Sequence, residues 1–266
     1  MSLGPRAPRV TVFDSGLGGL TVLSEIRKRQ AGADIVYVAD DAAFPYGDWS
    51  ETALVDHVVE LMGHLIADHR PDVVVIACNT ASTLVLAPLR ERYGVPFIGT
   101  VPAIKPAAEA TKTGLISVLA TPGTVARDYT RGLIDAFAGK AEVTLVGSVT
   151  LAAIAEHWLR GEPVDDEAIR QEIAPCFREA TGARTDTIVL GCTHYPFLID
   201  HFRRLGAWQV AWIDPAPAIA RRLEALLDSG AFRRDGAPAE GRFLFTSGAS
   251  VPPALRLRLA GFGLHG

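Results

Sequence analysis

The stretch DVVVIACNTAS at residues 72–82, and its echo DTIVLGCTHYP at 186–196, decide how this chain is read. Both run in the same order: an aspartate, a β-branched apolar run, a small residue, a cysteine, then residues bearing hydroxyl or amide groups. An unbroken apolar run leaves no face for water, so it reads as a strand buried on both sides, the mark of a parallel sheet covered by helices. Two such units 114 residues apart predict two α/β halves, each presenting a cysteine at the end of a strand.

Working outward, the same alternation fills the chain. Apolar runs predict strands at 9–13, 34–39, 72–77, 96–100, 115–120, 142–147, 186–191, 209–213 and 242–246. Between them, helical periodicity is clearest at 20–30, 53–69 and 218–230, the last ending on Gly230 as a helix C-cap would. Strand, helix, strand in regular order means mainly parallel sheets flanked by helices, with ligand sites at the carboxyl ends of the strands.

Composition narrows the function. At 266 residues, 48% hydrophobic and 21% charged, the chain can build one large α/β domain or two small ones. Its 26 Lys plus Arg against 30 Asp plus Glu give a net charge of −4, which provides no basic field for nucleic acid or an anionic membrane. No apolar run approaches a membrane span, and MSLGPRAPRV at the start lacks a hydrophobic leader, so a cytoplasmic location is expected. In that reducing compartment the three cysteines, at 78, 176 and 192, would be free thiols; their spacing suits neither a disulfide scaffold nor a zinc knuckle, and no metal is expected.

Cys176, in the helical pattern EIAPCFREA, reads as core filler. Cys78 and Cys192 read differently, because each ends an apolar strand and precedes polar residues, Asn79 and Thr80 in one case, Thr193 and His194 in the other. At a strand-to-helix turn, backbone N–H groups favour a thiolate, and a histidine two residues away can exchange its proton. VFDSGLGGLTVL (12–23) invites a dinucleotide reading, with Asp40 as a ribose-binding acid, but the third glycine of G-x-G-x-x-G is Thr21 and Asp14 would repel a pyrophosphate. Asp14, at a strand end like the thiols, is a turn residue or a proton carrier. AFPYGDWS (43–50) is ordinary turn chemistry that also presents the Tyr46 hydroxyl and the Gly47 N–H. Thr121 and Thr124 in ATPGTVARDY offer hydroxyls at a helix start, where a capping role explains one of them. His57, His64 and His69, spaced by 7 and 5, match no zinc pattern and read as surface residues.

DSGLGGLTVL, the FPYG loop, IACNTAS and LGCTHYP, in that order and at these separations, resemble the glutamate racemases of the cofactor-independent aspartate/glutamate racemase superfamily, over nearly the whole chain. The resemblance implies two pseudo-symmetric α/β domains, 1–100 with 210–266 and 101–209, with the active site in the interdomain cleft. It implies Cys78 and Cys192 as catalytic thiols, Asp14 assisting the first, and His194 and the acidic Glu156 near the second. It implies substrate contacts at Ser15, Pro45, Tyr46, Gly47, Asn79, Thr80, Thr121, Thr124 and Thr193. No cofactor is implied, the substrates being L- and D-glutamate and the product D-glutamate for peptidoglycan; a homodimer is left open.

Two departures stand out. The family usually reads G-D-T-A-R before F-P-Y-G, where this chain has Ala39, Asp40, Asp41, Ala42 and Ala43; and GSVTLAAIAE before Glu156 lacks a Cys-Pro commonly found there. Three other readings compete: a racemase of another acidic amino acid such as aspartate, a protein-binding role in gyrase inhibition, and a thiol or metal site built from Cys78, Cys192 and His194.

Overall fold

The computed structural model describes residues 6–180, 182–230, 232 and 239–266; Met1–Pro5, which form half of the segment read for a leader, lie outside them. In chain order the strands are β1 (Arg9–Asp14), β2 (Asp34–Ala39), β3 (Val73–Ile76), β4 (Phe97–Gly99), β5 (Leu115–Ala120), β6 (Glu142–Gly147), β7 (Glu179–Ala180), β8 (Ala183–Arg184), β9 (Thr187–Gly191), β10 (Ala211–Ile213), β11 (Gly241–Phe245) and β12 (Leu264–His265). All nine runs read from the sequence are strands. The chain divides into two compact units, Met1–Thr100 with Ala216–Gly266, and Val101–Pro215.

The first unit holds a six-stranded sheet in the order β12-β11-β2-β1-β3-β4, every pairing parallel. Phe13, Val36, Val38, Val74 and Ile76 face a core built with Leu54, Val58, Met62, Val85 and Leu89 from the helices Glu51–His69 and Asn79–Arg92. The alternate residues Val10, Val12, Ile35, Tyr37, Val73 and Val75 are equally buried. Both faces of the sheet are thus dry, which is why these strands read as continuous apolar runs. Helix Glu51–His69 begins where Ser50 caps it, its Oγ accepting from Ala53 N at 3.3 Å. It stops at Arg70, which turns into the left-handed region (φ 44°) just before Pro71.

The second unit repeats the scheme on four parallel strands, β10-β9-β5-β6, with a separate antiparallel pair β7–β8. In both sheets the chain leaves one strand and returns on both sides of it. The strand order reverses between β1 and β3 in the first unit and between β5 and β9 in the second. Such a switch point opens a crevice at the carboxyl ends of the two strands, because the connections run away from it in opposite directions. Register sets what lines each crevice: Phe13 pairs with Ile76, so Asp14 and Cys78 emerge together, and Ala120 pairs with Gly191, so Thr121 and Cys192 do.

Candidate active site

In the first unit, β1 ends in Asp14, fully buried, and the chain turns at once through Ser15 and Gly16. The carboxylate Oδ1 accepts from Ser15 Oγ and from Gly16 N, both at 3.2 Å, and Ser15 Oγ lies 3.6 Å from Cys78 Sγ. Ser15 therefore bridges the acid and the thiol. Gly19 is required here by space: a Cβ would stand 2.9 Å from Asp14 Oδ2, the Tyr37 hydroxyl and Ala77 Cβ. Cys78 is the N-cap residue of helix Asn79–Arg92, so its buried sulfur sits at the end of a helix where N–H groups and the macrodipole favour negative charge. Asn79 Oδ1 accepts from Thr100 Oγ1 at 3.4 Å, while its Nδ2 is buried with no hydrogen-bond partner among the described residues. Tyr46 is buried in the same apolar cluster as Cys78, and Pro45 and Gly47 beside it are exposed.

In the second unit, Cys192 follows β9 and Gly191 is again forced, its absent Cβ falling 2.8 Å from Ala120 Cβ. Cys192 Sγ lies 3.7 Å from His194 Nδ1, and His194 Nε2 lies 2.8 Å from Glu156 Oε1. Arg160, one turn further along the helix Leu151–Leu159 at its C-cap, donates to the other oxygen, Oε2, at 3.5 Å. His194 is buried, which works against its charged form, but its hydrogen bonds to Cys192 and Glu156 outweigh burial and hold its pKa well above the usual imidazole value. The result is a buried thiol–imidazole–carboxylate chain in which a proton can rest beside the sulfur.

Thr121 caps the short helix Pro122–Val125, its Oγ1 accepting from Thr124 N at 3.4 Å and lying 3.1 Å from Thr124 Oγ1. Thr80 and Thr193 are buried next to their cysteines. The predicted residues are thus gathered in two groups, Asp14, Ser15, Tyr46, Cys78, Asn79 and Thr80 in one unit, Thr121, Thr124, Glu156, Cys192, Thr193 and His194 in the other.

Three readings need correction. Cys176 lies not in the helix but in the 3-10 turn Ala174–Cys176 that follows it, because Pro175 interrupts the pattern; it is fully buried, which pushes its thiol up to about 12. Cys192, unlike Cys78, does not cap an α-helix: residues Tyr195–Leu198 form a 3-10 turn containing Pro196 before helix Ile199–Leu205 begins. His57 is not a plain surface residue, for its Nε2 lies 2.6 Å from Oδ2 of the buried Asp40. Arg160 was missed as well, although its place four residues after Glu156 on a helix is a visible ion-pair spacing.

Each unit thus places one buried thiol at the switch point of a parallel sheet, close to groups that can exchange a proton, Ser15 with Asp14 in one and His194 with Glu156 in the other. The model of the Asp/Glu/hydantoin racemase family matches residues 21–223, and the chain belongs to that family. Within it, the chain is 54% identical over 265 residues to the glutamate racemase of Brucella canis, covering 99% of this chain and 95% of that one. Among solved structures it is similar to Escherichia coli glutamate racemase in complex with L-glutamate and the activator UDP-MurNAc-Ala, at 37% identity, 97% coverage of both chains and a TM-score of 0.85. The Francisella tularensis glutamate racemase in complex with D-glutamate matches at 25% identity over 98% of this chain and 94% of that one, with a TM-score of 0.77.

Proposed function

We infer that this protein interconverts L- and D-glutamate by a cofactor-independent, two-thiol proton transfer. The observation that carries the reading is the pairing of each strand-end thiol with a proton partner: Cys78 with Asp14 through Ser15, and Cys192 with His194 and Glu156. Inverting an α-carbon requires that a base take the proton from one face while an acid returns one to the other. A thiolate on one side and a thiol on the other meet that need, and exchanging their roles runs the reaction backwards. Asp14 resets the proton on Cys78 after turnover, and the His194–Glu156 pair resets it on Cys192.

The substrate's two carboxylates need donors at a site whose motifs contain no arginine. The first-turn amides of helix Asn79–Arg92 and the unspent Nδ2 of Asn79 take one of them. The hydroxyls of Ser15, Thr80, Thr121, Thr124 and Thr193, with the backbone of Pro45, Tyr46 and Gly47, complete the set. Fixed donors aimed at a carboxylate that gains enolate character lower the barrier more than they lower the ground state. The activity supplies D-glutamate for peptidoglycan, in a cell compartment suited to free thiols. Among the described residues no helix is long and apolar enough to cross a membrane.

The test is circular dichroism of the purified protein with L-glutamate and, separately, L-aspartate. Loss of the L-glutamate signal to zero, with the aspartate signal unchanged, is expected. Faster loss with aspartate would move the protein to a different acidic substrate.

A further inference from the structure

Loop 43–50 carries three of the residues assigned to substrate, yet the Tyr46 hydroxyl does not aim its proton at a ligand. It donates to Asp40 Oδ2 at 2.5 Å. Asp40 is fully buried just beyond the end of β2, where a carboxylate stays charged only if donors surround it. It has three. Besides Tyr46, His57 Nε2 lies 2.6 Å from Oδ2, and Thr246 Oγ1 donates to Oδ1 at 2.6 Å. A carboxylate only accepts, so His57 Nε2 carries the proton of this pair. The Trp49 ring stands 5.1 Å from the His57 ring, and its Nε1 donates to Ala43 O at 3.0 Å, closing the loop over the pair.

One carboxylate therefore joins the loop, the helix Glu51–His69 and the residue after β11. Asp41 adds a second tie to the same region, its Oδ1 accepting from Ser247 N at 3.0 Å and its Oδ2 from Ser247 Oγ at 2.6 Å. Residues 43–50, AFPYGDWS, contain no Lys, Arg or His, so the loop gives Asp40 a hydroxyl from Tyr46 but no nitrogen donor, and the ring nitrogen comes from His57 on the helix. The 3-10 turn Tyr46–Asp48 packs in turn on the helix that Cys78 caps. Burial, and then the negative charges of Asp40, Cys78 and Asp14, keep the Tyr46 hydroxyl well above its ordinary pKa, so it remains a donor at every working pH.

We propose that Asp40 and His57 are positioning residues of the racemase site, which fix Tyr46 and hence the backbone of loop 43–50 beside Cys78. This rests on the function inferred above. Neither residue takes part in proton transfer; they hold the loop in the one orientation that receives a substrate carboxylate, so their loss is felt in KM rather than in kcat.

Two variants of equal polarity and different reach test it. In His57→Gln the amide nitrogen falls where Nε2 was and can still donate to Asp40; in His57→Asn the side chain is too short. KM for both enantiomers is expected to rise about tenfold in His57→Asn, with kcat within about threefold of wild type, while His57→Gln keeps KM within about threefold. Tyr46→Phe is expected to raise KM by a similar factor, and adding His57→Asn to it should cost little more, since both act through one carboxylate. Equal KM values in the Gln and Asn variants, or a lowered thermal midpoint with KM unchanged, would overturn the proposal. A wild type that fails to racemise glutamate would overturn the function instead, so the two failures are distinguishable.

Discussion

Replacing Glu156 by Gln isolates the charge behind the second thiol. The glutamine oxygen still accepts from His194 Nε2, now 2.8 Å from Glu156 Oε1, and Arg160, 36% exposed at its side chain, can turn its guanidinium to water. Shape and hydrogen bond persist while the negative charge goes. A hydrogen bond to an ionised group is worth roughly 1.5–3 kcal/mol against roughly 0.5–1.5 for a neutral one, so the His194 imidazolium loses about 1–2 kcal/mol of support. Glu156 and His194 are both buried, and solvent screens little of that difference. The Cys192 thiolate with imidazolium beside it becomes less populated than thiol with neutral imidazole by about five- to thirtyfold. The cost falls on the direction in which Cys192 must act as base. Turnover numbers from L- and from D-glutamate should therefore diverge by that factor, and KM must diverge with them, because an equilibrium constant of one ties the two kcat/KM values together. The sign of the pH effect also follows: His194 is held above its ordinary pKa by Cys192 and Glu156 against burial, so removing the carboxylate lowers it, thiol with neutral imidazole takes over, and the acid limb of the slowed direction, where the thiolate appears, moves to higher pH. Chiral chromatography of initial rates from each enantiomer, between pH 6 and 10, gives both quantities. Equal kcat losses in the two directions, with no movement of that limb, would refute the assignment of Glu156 and His194 to one face.

Cys78→Ala and Cys192→Ala should each abolish racemisation, as measured by circular dichroism, whereas Cys176→Ala should keep it and lower the thermal midpoint by a few degrees, since it removes only a core sulfur. In the folded wild type, Cys176 should resist iodoacetamide, its thiol being pushed up to about 12 by burial; mass spectrometry of the alkylated peptides reads this out. Gly19→Ala places a Cβ where 2.9 Å separates it from Asp14 Oδ2, Tyr37 and Ala77, an overpacking of roughly 1–3 kcal/mol in denaturant unfolding, and it should impair kcat by displacing Asp14.

The strands were legible because burial on both faces writes itself into the sequence as continuous β-branched runs, and the cysteines were legible because each interrupts such a run at its end. The pairs β7–β8 and the strand β12 were not, being two residues long and without a period to read. Partnerships within the site divided in the same way. His194 stands two residues from Cys192, and the link is visible in the chain. His57 and Thr246 meet Asp40 across 17 and 206 residues, and helical spacing places His57 on a face without saying what faces it. The FPYG turn shows that a Tyr46 hydroxyl is on offer but not to whom; the buried acid that claims it lies six residues back, around a turn whose path local preferences do not fix. For Cys176 the apolar period alone points to a helix, and Pro175 ends it.

Two opposed bases leave a signature in deuterium oxide. The base that removes the α-proton of one enantiomer is not the acid that completes the other, so product formed in the first few per cent of conversion should carry solvent deuterium while unreacted substrate remains protiated. A single base working both faces would hand back the proton it took. Mass spectrometry of both enantiomers, starting from L-glutamate and again from D-glutamate, is the measurement. Product deuterated at the α-carbon from both starting points is the expected result; substantial protium in the product from either one would contradict Cys78 and Cys192 as partners on opposite faces.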